Sequence, residues 1–454
     1  MPNPTVTYDP RNMMAKAVGR GGATPAELRL LGRRMEQAKR AVVDLDTSGA
    51  QGWMSLPDDG EMVRRVMALA REKRDFETCL VIGIGGSDLG ARCLDMAIHG
   101  SGMDLVFAGA NTDPDELHRI LKTLDLKKTL VNVISKSGDT IEPMATFFIV
   151  RDALLRAVGA KRHAEHVVAT TDAVSGSLRD LAAKEGYTTL PVPGNVGGRF
   201  SVLSDVGLFP LACAGVDIKR LLQGARQERE RFVREPVSTN GSSLFAALNH
   251  LAYVKRGQRL QVLMPYAESL RGFGFWFRQL WAESLGKRVD RKGKVIHVGP
   301  TPIAALGATD QHSQIQLYNE GPDDKTVTFI RVEEFRHSVR VPASIKEIGP
   351  LAFLAGMPLE RILHAEEQGT AAALTAAKRP NGVIRVPAIT PEVMGGLIMF
   401  FEIATALSGE LYGLDAFGQP GVEAGKMATR AILSASLTHP TVWQKRNPPT
   451  SASV

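Results

Sequence analysis

Cys79-Leu80-Val81-Ile82-Gly83-Ile84-Gly85-Gly86-Ser87-Asp88-Leu89-Gly90 begins with an apolar run of strand length and passes straight into glycines. Cys79–Ile84 therefore reads as a buried strand, and the glycines after it as a tight turn that opens a helix. Such a turn presents backbone N–H groups at a helix N-terminus, an arrangement that favours an anion. A dinucleotide fingerprint is the obvious rival. Its third glycine would fall at position 88, which is Asp88, and the next strand ends at Asn111, where a ribose-binding acid is expected. Simple close packing of strand on helix is the other alternative.

A second strand, Leu130–Ile134, runs into Ser135-Lys136-Ser137-Gly138-Asp139-Thr140-Ile141-Glu142. Three hydroxyls, a lysine and a glycine at a helix start form a phosphate cradle. They also fit a capping box with Asp139 as cap and Glu142 three residues on, and one turn can serve both ends. Strand-like runs at Leu105–Ala108 and Val167–Thr170, with helical patterns at Pro114–Leu124 and Glu142–Val158, continue the alternation. That pattern predicts an α/β fold with parallel sheets flanked by helices. Pro191–Gly198 reads as a loop.

The polar stretch Glu235–Gly241 is rich in turn formers, and beyond it the alternation resumes with Leu260–Met264, Val295–Val298, Val327–Val332 and Val383–Val386. Two similar α/β halves joined near 225–240 follow. The expected division is a mostly helical arm at 1–50, a first α/β domain at 51–230, a second at 231–435 and a tail at 436–454, frayed from Asn447 onward.

The 454 residues are 44% hydrophobic and 23% charged, which excludes disorder as the default for the main body. Cys79, Cys93 and Cys213 are too few and too far apart for a disulfide framework or a cysteine-based zinc site, so a reducing cytoplasm is expected. Met1-Pro2-Asn3-Pro4 carries no basic-then-apolar pattern and reads as no signal peptide. The most apolar window, Val393–Leu407, is short for a membrane span and contains Glu402, so a buried helix is expected and no membrane association. The formal charge of +7 is scattered rather than massed, which suits a small anionic substrate better than nucleic acid. No histidine spacing suggests a metal site, Gly421–Met427 is one residue short of a P-loop, and no nucleophile elbow occurs. Acid–base chemistry on a phosphorylated ligand is the reading that survives.

Taken in order, six segments resemble the phosphoglucose (glucose-6-phosphate) isomerase family: GIGGSDLG at 83–90, SKSGDTIEP at 135–143, GGRFSVLSDVG at 197–207, QLWAESLGK at 279–287, GATDQHSQIQL at 307–317 and GQPGVEAGK at 418–426. The resemblance spans about residues 50 to 435 and implies two sugar-isomerase (SIS) domains, no cofactor and no metal. It implies glucose 6-phosphate–fructose 6-phosphate interconversion through ring opening and an enediolate, as in glycolysis and gluconeogenesis. On it, Gly86, Ser87, Ser135, Ser137 and Thr140 hold the substrate and its phosphate, with Lys136 in the same turn, and Gln419 contacts substrate. Arg199 stabilises the enediolate and Glu283 shuttles the proton. His312 and Lys426 assist ring opening, and Glu142 orients His312. A homodimer is implied, with the histidine segment completing the neighbouring subunit's site.

The chemistry asks for such groups. A proton alpha to a carbonyl leaves only if the growing oxyanion is stabilised, which a fixed guanidinium does without reorganising. A carboxylate must take the proton and return it from a partly desolvated site, and histidine suits ring opening near neutral pH. Ser137 stands where a threonine is usual, Leu285 where an asparagine is, and Pro420 where a tryptophan is common, which leaves selectivity open. Two alternatives stay in play: a mannose- or dual-specificity isomerase of the same domain type, and a sugar-phosphate-binding regulatory module without turnover.

Overall fold

The computed structural model describes residues 6–438. The expected frayed tail and the Met1–Pro4 stretch lie outside them. Twelve strands run along the described chain: β1 (Thr7–Asp9), β2 (Thr78–Ile82), β3 (Asp104–Ala108), β4 (Thr129–Ile134), β5 (Val167–Thr171), β6 (Thr188–Pro191), β7 (Leu260–Pro265), β8 (Lys287–Val289), β9 (Val295–Val298), β10 (Thr301–Ala304), β11 (Lys325–Glu334) and β12 (Asn381–Ala388).

The first five-stranded sheet is all parallel, in the order β3-β2-β4-β5-β6. Its central strands, β2 and β4, are apolar nearly throughout and buried on both faces by helices, as parallel strands require. The order reverses between β2 and β4, and ligands in such sheets bind outside the carboxyl ends of the strands at that crevice. β2 ends at Ile82 and β4 at Ile134, so the glycine-rich turn and the serine-rich turn leave the sheet side by side at the switch point. The second sheet has the order β1-β12-β11-β7-β10, parallel except for β1, which runs antiparallel to β12.

Several expectations need correction. The N-terminal arm is mostly helical, with Pro25–Thr47 started by a complete Thr24–Glu27 capping box, but it also supplies β1 to the second sheet. Val295–Val298 belongs to neither large sheet. It forms an antiparallel hairpin with β8 around Asp290–Lys294, where the Asp290 side chain accepts from the N–H groups of Lys292 and Lys294 and Gly293 has φ +80°. Residues 225–234 are not a junction but the end of helix Ile218–Arg234; the turn residues 236–240 separate it from helix Gly241–Arg256. Helix Glu423–Thr438 runs across the expected tail boundary.

By compactness the chain falls into two units, Met1–Ala416 and Phe417–Val454. Both five-stranded sheets belong to the first. Helix Pro391–Tyr412 encloses the apolar window and, at 22 residues, is long enough to cross a membrane; what marks it as a core helix is that 94% of its most apolar window is buried. Around it Phe245, Phe273, Phe277, Trp281, Phe400 and Phe401 make edge-on and tilted contacts at 5.1–6.0 Å. This aromatic core fixes helix Arg271–Leu285, the helix that carries Glu283.

Candidate active site

The serine-rich turn is held by its own side chains. The Ser135 hydroxyl accepts from the Gly138 N–H at 3.1 Å, and the Ser137 hydroxyl from Asp139 N–H at 3.2 Å. Gly138 has φ +74°, and a Cβ there would lie 2.1 Å from the Leu178 nitrogen, so only glycine lets the turn close on the next helix. No capping box forms. The N-cap of helix Ile141–Val158 is Thr140, without a side-chain capping bond, and Asp139 instead accepts from the Ser177 hydroxyl at 2.6 Å. The Thr140 hydroxyl is therefore not committed to the helix it precedes. Lys136 reaches the carbonyl of Gly194 at 2.9 Å, tying this turn to the loop that leads to Arg199.

The glycine-rich turn meets that loop backbone to backbone. A Cβ on Gly86 would sit 2.0 Å from the Gly198 carbonyl oxygen, and one on Gly85 2.7 Å from Gln279 Nε2. Asp88, at the position a dinucleotide fingerprint reserves for glycine, is buried and clamped by Arg92 at 2.8–3.2 Å. It is a structural residue.

Arg199 is buried, and its position is set by groups that do not react. Nε donates to Ser284 Oγ at 2.7 Å and Nη2 to the Ala416 carbonyl at 2.5 Å, while Nη1 lies 3.4 Å from Glu283 Oε2. Burial lowers its affinity for the proton, and the Glu283 carboxylate acts against that loss. Glu283 itself is one-third exposed, and its other oxygen accepts from Gln279 Nε2 at 3.2 Å. A fixed buried cation beside an accessible carboxylate is the arrangement that removal of a carbon-bound proton requires.

His312 ends the short turn Thr309–His312 and is exposed; among the described residues neither it nor Glu142 makes a side-chain hydrogen bond. Gln419 and Lys426 belong to the second compact unit, where Lys426 lies on helix Glu423–Thr438 with its ammonium 2.9 Å from Glu423. Three site residues escaped the sequence reading: Gln279, Ser284 and Lys287, all within the quoted QLWAESLGK. Gln279 and Lys287 lie four residues before and after Glu283. For Gln279 that is the spacing of neighbours on one helix face, the signal by which it could have been found; Lys287 lies past the helix end, on β8.

The chain is similar to known proteins over most of its length. The family profile described as Phosphoglucose isomerase matches residues 70–452. A glucose-6-phosphate isomerase of Carboxydothermus hydrogenoformans is 42% identical over 397 residues, 85% of either chain. A crystal structure described as a hypothetical protein of Thermus thermophilus superposes with a TM-score of 0.87 at 37% identity, covering 95% of this chain and all of that one. The structure of a glucose-6-phosphate isomerase from Chlamydia trachomatis gives 0.75 at 27% identity, over 84% of this chain and 74% of that one.

Proposed function

Since the chain belongs to the phosphoglucose isomerase family, we infer that its reaction is the reversible interconversion of glucose 6-phosphate and fructose 6-phosphate. The observation that carries the assignment of roles is the buried Arg199 guanidinium 3.4 Å from the accessible Glu283 carboxylate. Glu283 takes the proton from one carbon and returns it to its neighbour. Arg199, already held by Ser284 and the Ala416 carbonyl, stabilises the enediolate oxygen without moving. The phosphate sits at the switch point of the first sheet on Ser87, Ser135, Ser137 and Thr140, with Lys136 beside it and Gly86 allowing close approach of the backbone.

Ring opening falls to His312 with Lys426, Glu142 orients His312, and Gln419 contacts the sugar. His312 is exposed and makes no side-chain hydrogen bond among the described residues, which supports a homodimer in which it completes the partner's site. The two five-stranded sheets, one built from strands within 78–191 and the other from strands within 260–388 with β1 added, support two SIS-type domains. Three buried thiols without a disulfide support a cytoplasmic enzyme.

The test is turnover of fructose 6-phosphate by the purified chain, followed spectrophotometrically through a glucose-6-phosphate dehydrogenase. Binding of fructose 6-phosphate without turnover would instead make the chain a sugar-phosphate-binding module.

A further inference from the structure

Helix Arg271–Leu285 ends two residues after the proton-transferring carboxylate, and its last carbonyls have no N–H partner within the helix. Gly286 closes back on the Ala282 carbonyl at 2.8 Å, and the chain leaves as strand β8. The Glu283 carbonyl would have received the N–H of residue 287 had the helix continued. The side chain of that same residue takes its place: the Lys287 ammonium donates to the Glu283 carbonyl oxygen at 2.5 Å. A cation at a helix C-terminus also complements the helix dipole.

Lys287 is half-buried and stands among charges from each element around it. Arg199 comes from the loop after Gly198, Glu283 from the helix, and Asp415 from the segment that ends the first unit. Val298, opposite it across the hairpin, is uncharged. Burial lowers its pKa to about 8, Arg199 adds to the lowering, and Asp415 and Glu283 oppose it.

We infer that Lys287 is a positioning residue for the isomerisation: its ammonium locks the main chain of Glu283 and adds a second positive charge behind Arg199 as the enediolate forms. The inference rests on Glu283 being the base. In this role Lys287 acts through the main chain rather than on a reacting atom. It fixes the end of the helix from which the carboxylate projects, and a displacement of about 1 Å at a reacting group is enough to cost roughly a hundredfold in rate.

The test uses Lys287→Met and Lys287→Arg in the full-length enzyme, with Glu283→Gln alongside. Lys287→Met should lower kcat roughly ten- to a hundredfold while KM for fructose 6-phosphate stays within about threefold, because the phosphate turn lies on another sheet. Wild-type kcat should fall on the alkaline side with a midpoint near 8. Lys287→Arg, charged throughout that range, should fold, recover part of the lost rate and move that midpoint upward. The melting temperature of wild type relative to Lys287→Met should rise over the same pH range, because the folded protein sheds the poorly solvated charge before the unfolded chain does. A rate within twofold of wild type for Lys287→Met overturns the inference, as does an unshifted alkaline midpoint in Lys287→Arg. Failure of both variants to fold would mark Lys287 as purely structural and overturn it too. If Glu283→Gln is active, the choice of base has failed; if only Lys287→Met is fully active, the positioning role alone has failed.

Discussion

Replacing Glu283 by glutamine separates chemistry from structure at the centre of the site. The amide has the size of the carboxylate, and its oxygen can still accept from Gln279 Nε2, now 3.2 Å away. What disappears is the charge opposite Arg199 at 3.4 Å. Because Glu283 is one-third exposed and Arg199 keeps its bonds to Ser284 and the Ala416 carbonyl, that ion pair is worth no more than about 1 kcal/mol to stability. Melting should therefore change little. The barrier is another matter: a positioned acid–base group contributes roughly two to four orders of magnitude, or about 3–5 kcal/mol. Turnover should fall by that factor while fructose 6-phosphate still binds. Glu283→Asp keeps the charge, draws it back by one methylene and should retain partial activity. Isomerisation in deuterated water, followed by NMR at C1 and C2, reports the shuttle directly, since some protons held on the carboxylate exchange with solvent. Turnover of Glu283→Gln within tenfold of wild type would refute the assignment, and isomerisation with no deuterium uptake under any condition would point to hydride transfer.

Replacing Ser135 and Thr140 together by alanine should weaken fructose 6-phosphate binding, with each lost bond to the charged phosphate costing roughly 1.5–3 kcal/mol; Thr140→Ala is the cleaner single change, because Ser135 also holds the turn to Gly138, and unchanged affinity in titration calorimetry would remove the phosphate assignment. Mixed Glu283→Gln and His312→Ala subunits should regain activity as heterodimers, and no recovery after verified exchange would place each site within one chain. Glu402 is fully buried, neither carboxylate oxygen has a partner among the described residues, and burial holds its pKa well above the ordinary 4.5. Above pH 4.5 the unfolded chain releases this proton and the folded one keeps it, so stability is lost as pH rises, by up to about 3 kcal/mol at pH 7. Denaturant unfolding of wild type against Glu402→Leu should show a gap in the variant's favour that widens from pH 5 to pH 7, and a gap independent of pH would show the carboxyl ionised in place.

What could be read from the sequence was whatever a local pattern fixes. β2 and β4 are apolar on both faces and end in turn chemistry, so strand, turn and helix followed from a dozen residues. The edge strand β3 was read, but the edge strands β1, β6 and β10 were missed, because an edge makes weaker demands. β10 contains Pro302, which is tolerated where one side of the strand is unpaired, and β6 is half threonine. Val295–Val298 was assigned to a parallel sheet on its valines, although the Asp290–Lys294 turn beside it is a hairpin signal. The site divides in the same way. The serine-rich turn is contiguous, so its place between strand and helix was legible. The bonds from Arg199 to Ser284 and to Ala416 span 85 and 217 residues, and no pattern along the chain contains them.

Those long-range bonds also explain why the two turns and the base need one another. Gly86 and Gly198 touch through backbone atoms, so the glycine-rich turn at the switch point sets where Arg199 begins. Arg199 then reaches Ser284, the residue after the base, on a helix seated against the aromatic core. The glycine-rich turn is thus tied to the helix of Glu283 by a backbone contact and a buried guanidinium. A small residue at 86 is required for that contact whether or not a sugar is bound. The glycines first read as an anion-binding turn therefore have a packing duty: the close approach that excludes a Cβ at 86 ties this turn to the loop that carries Arg199.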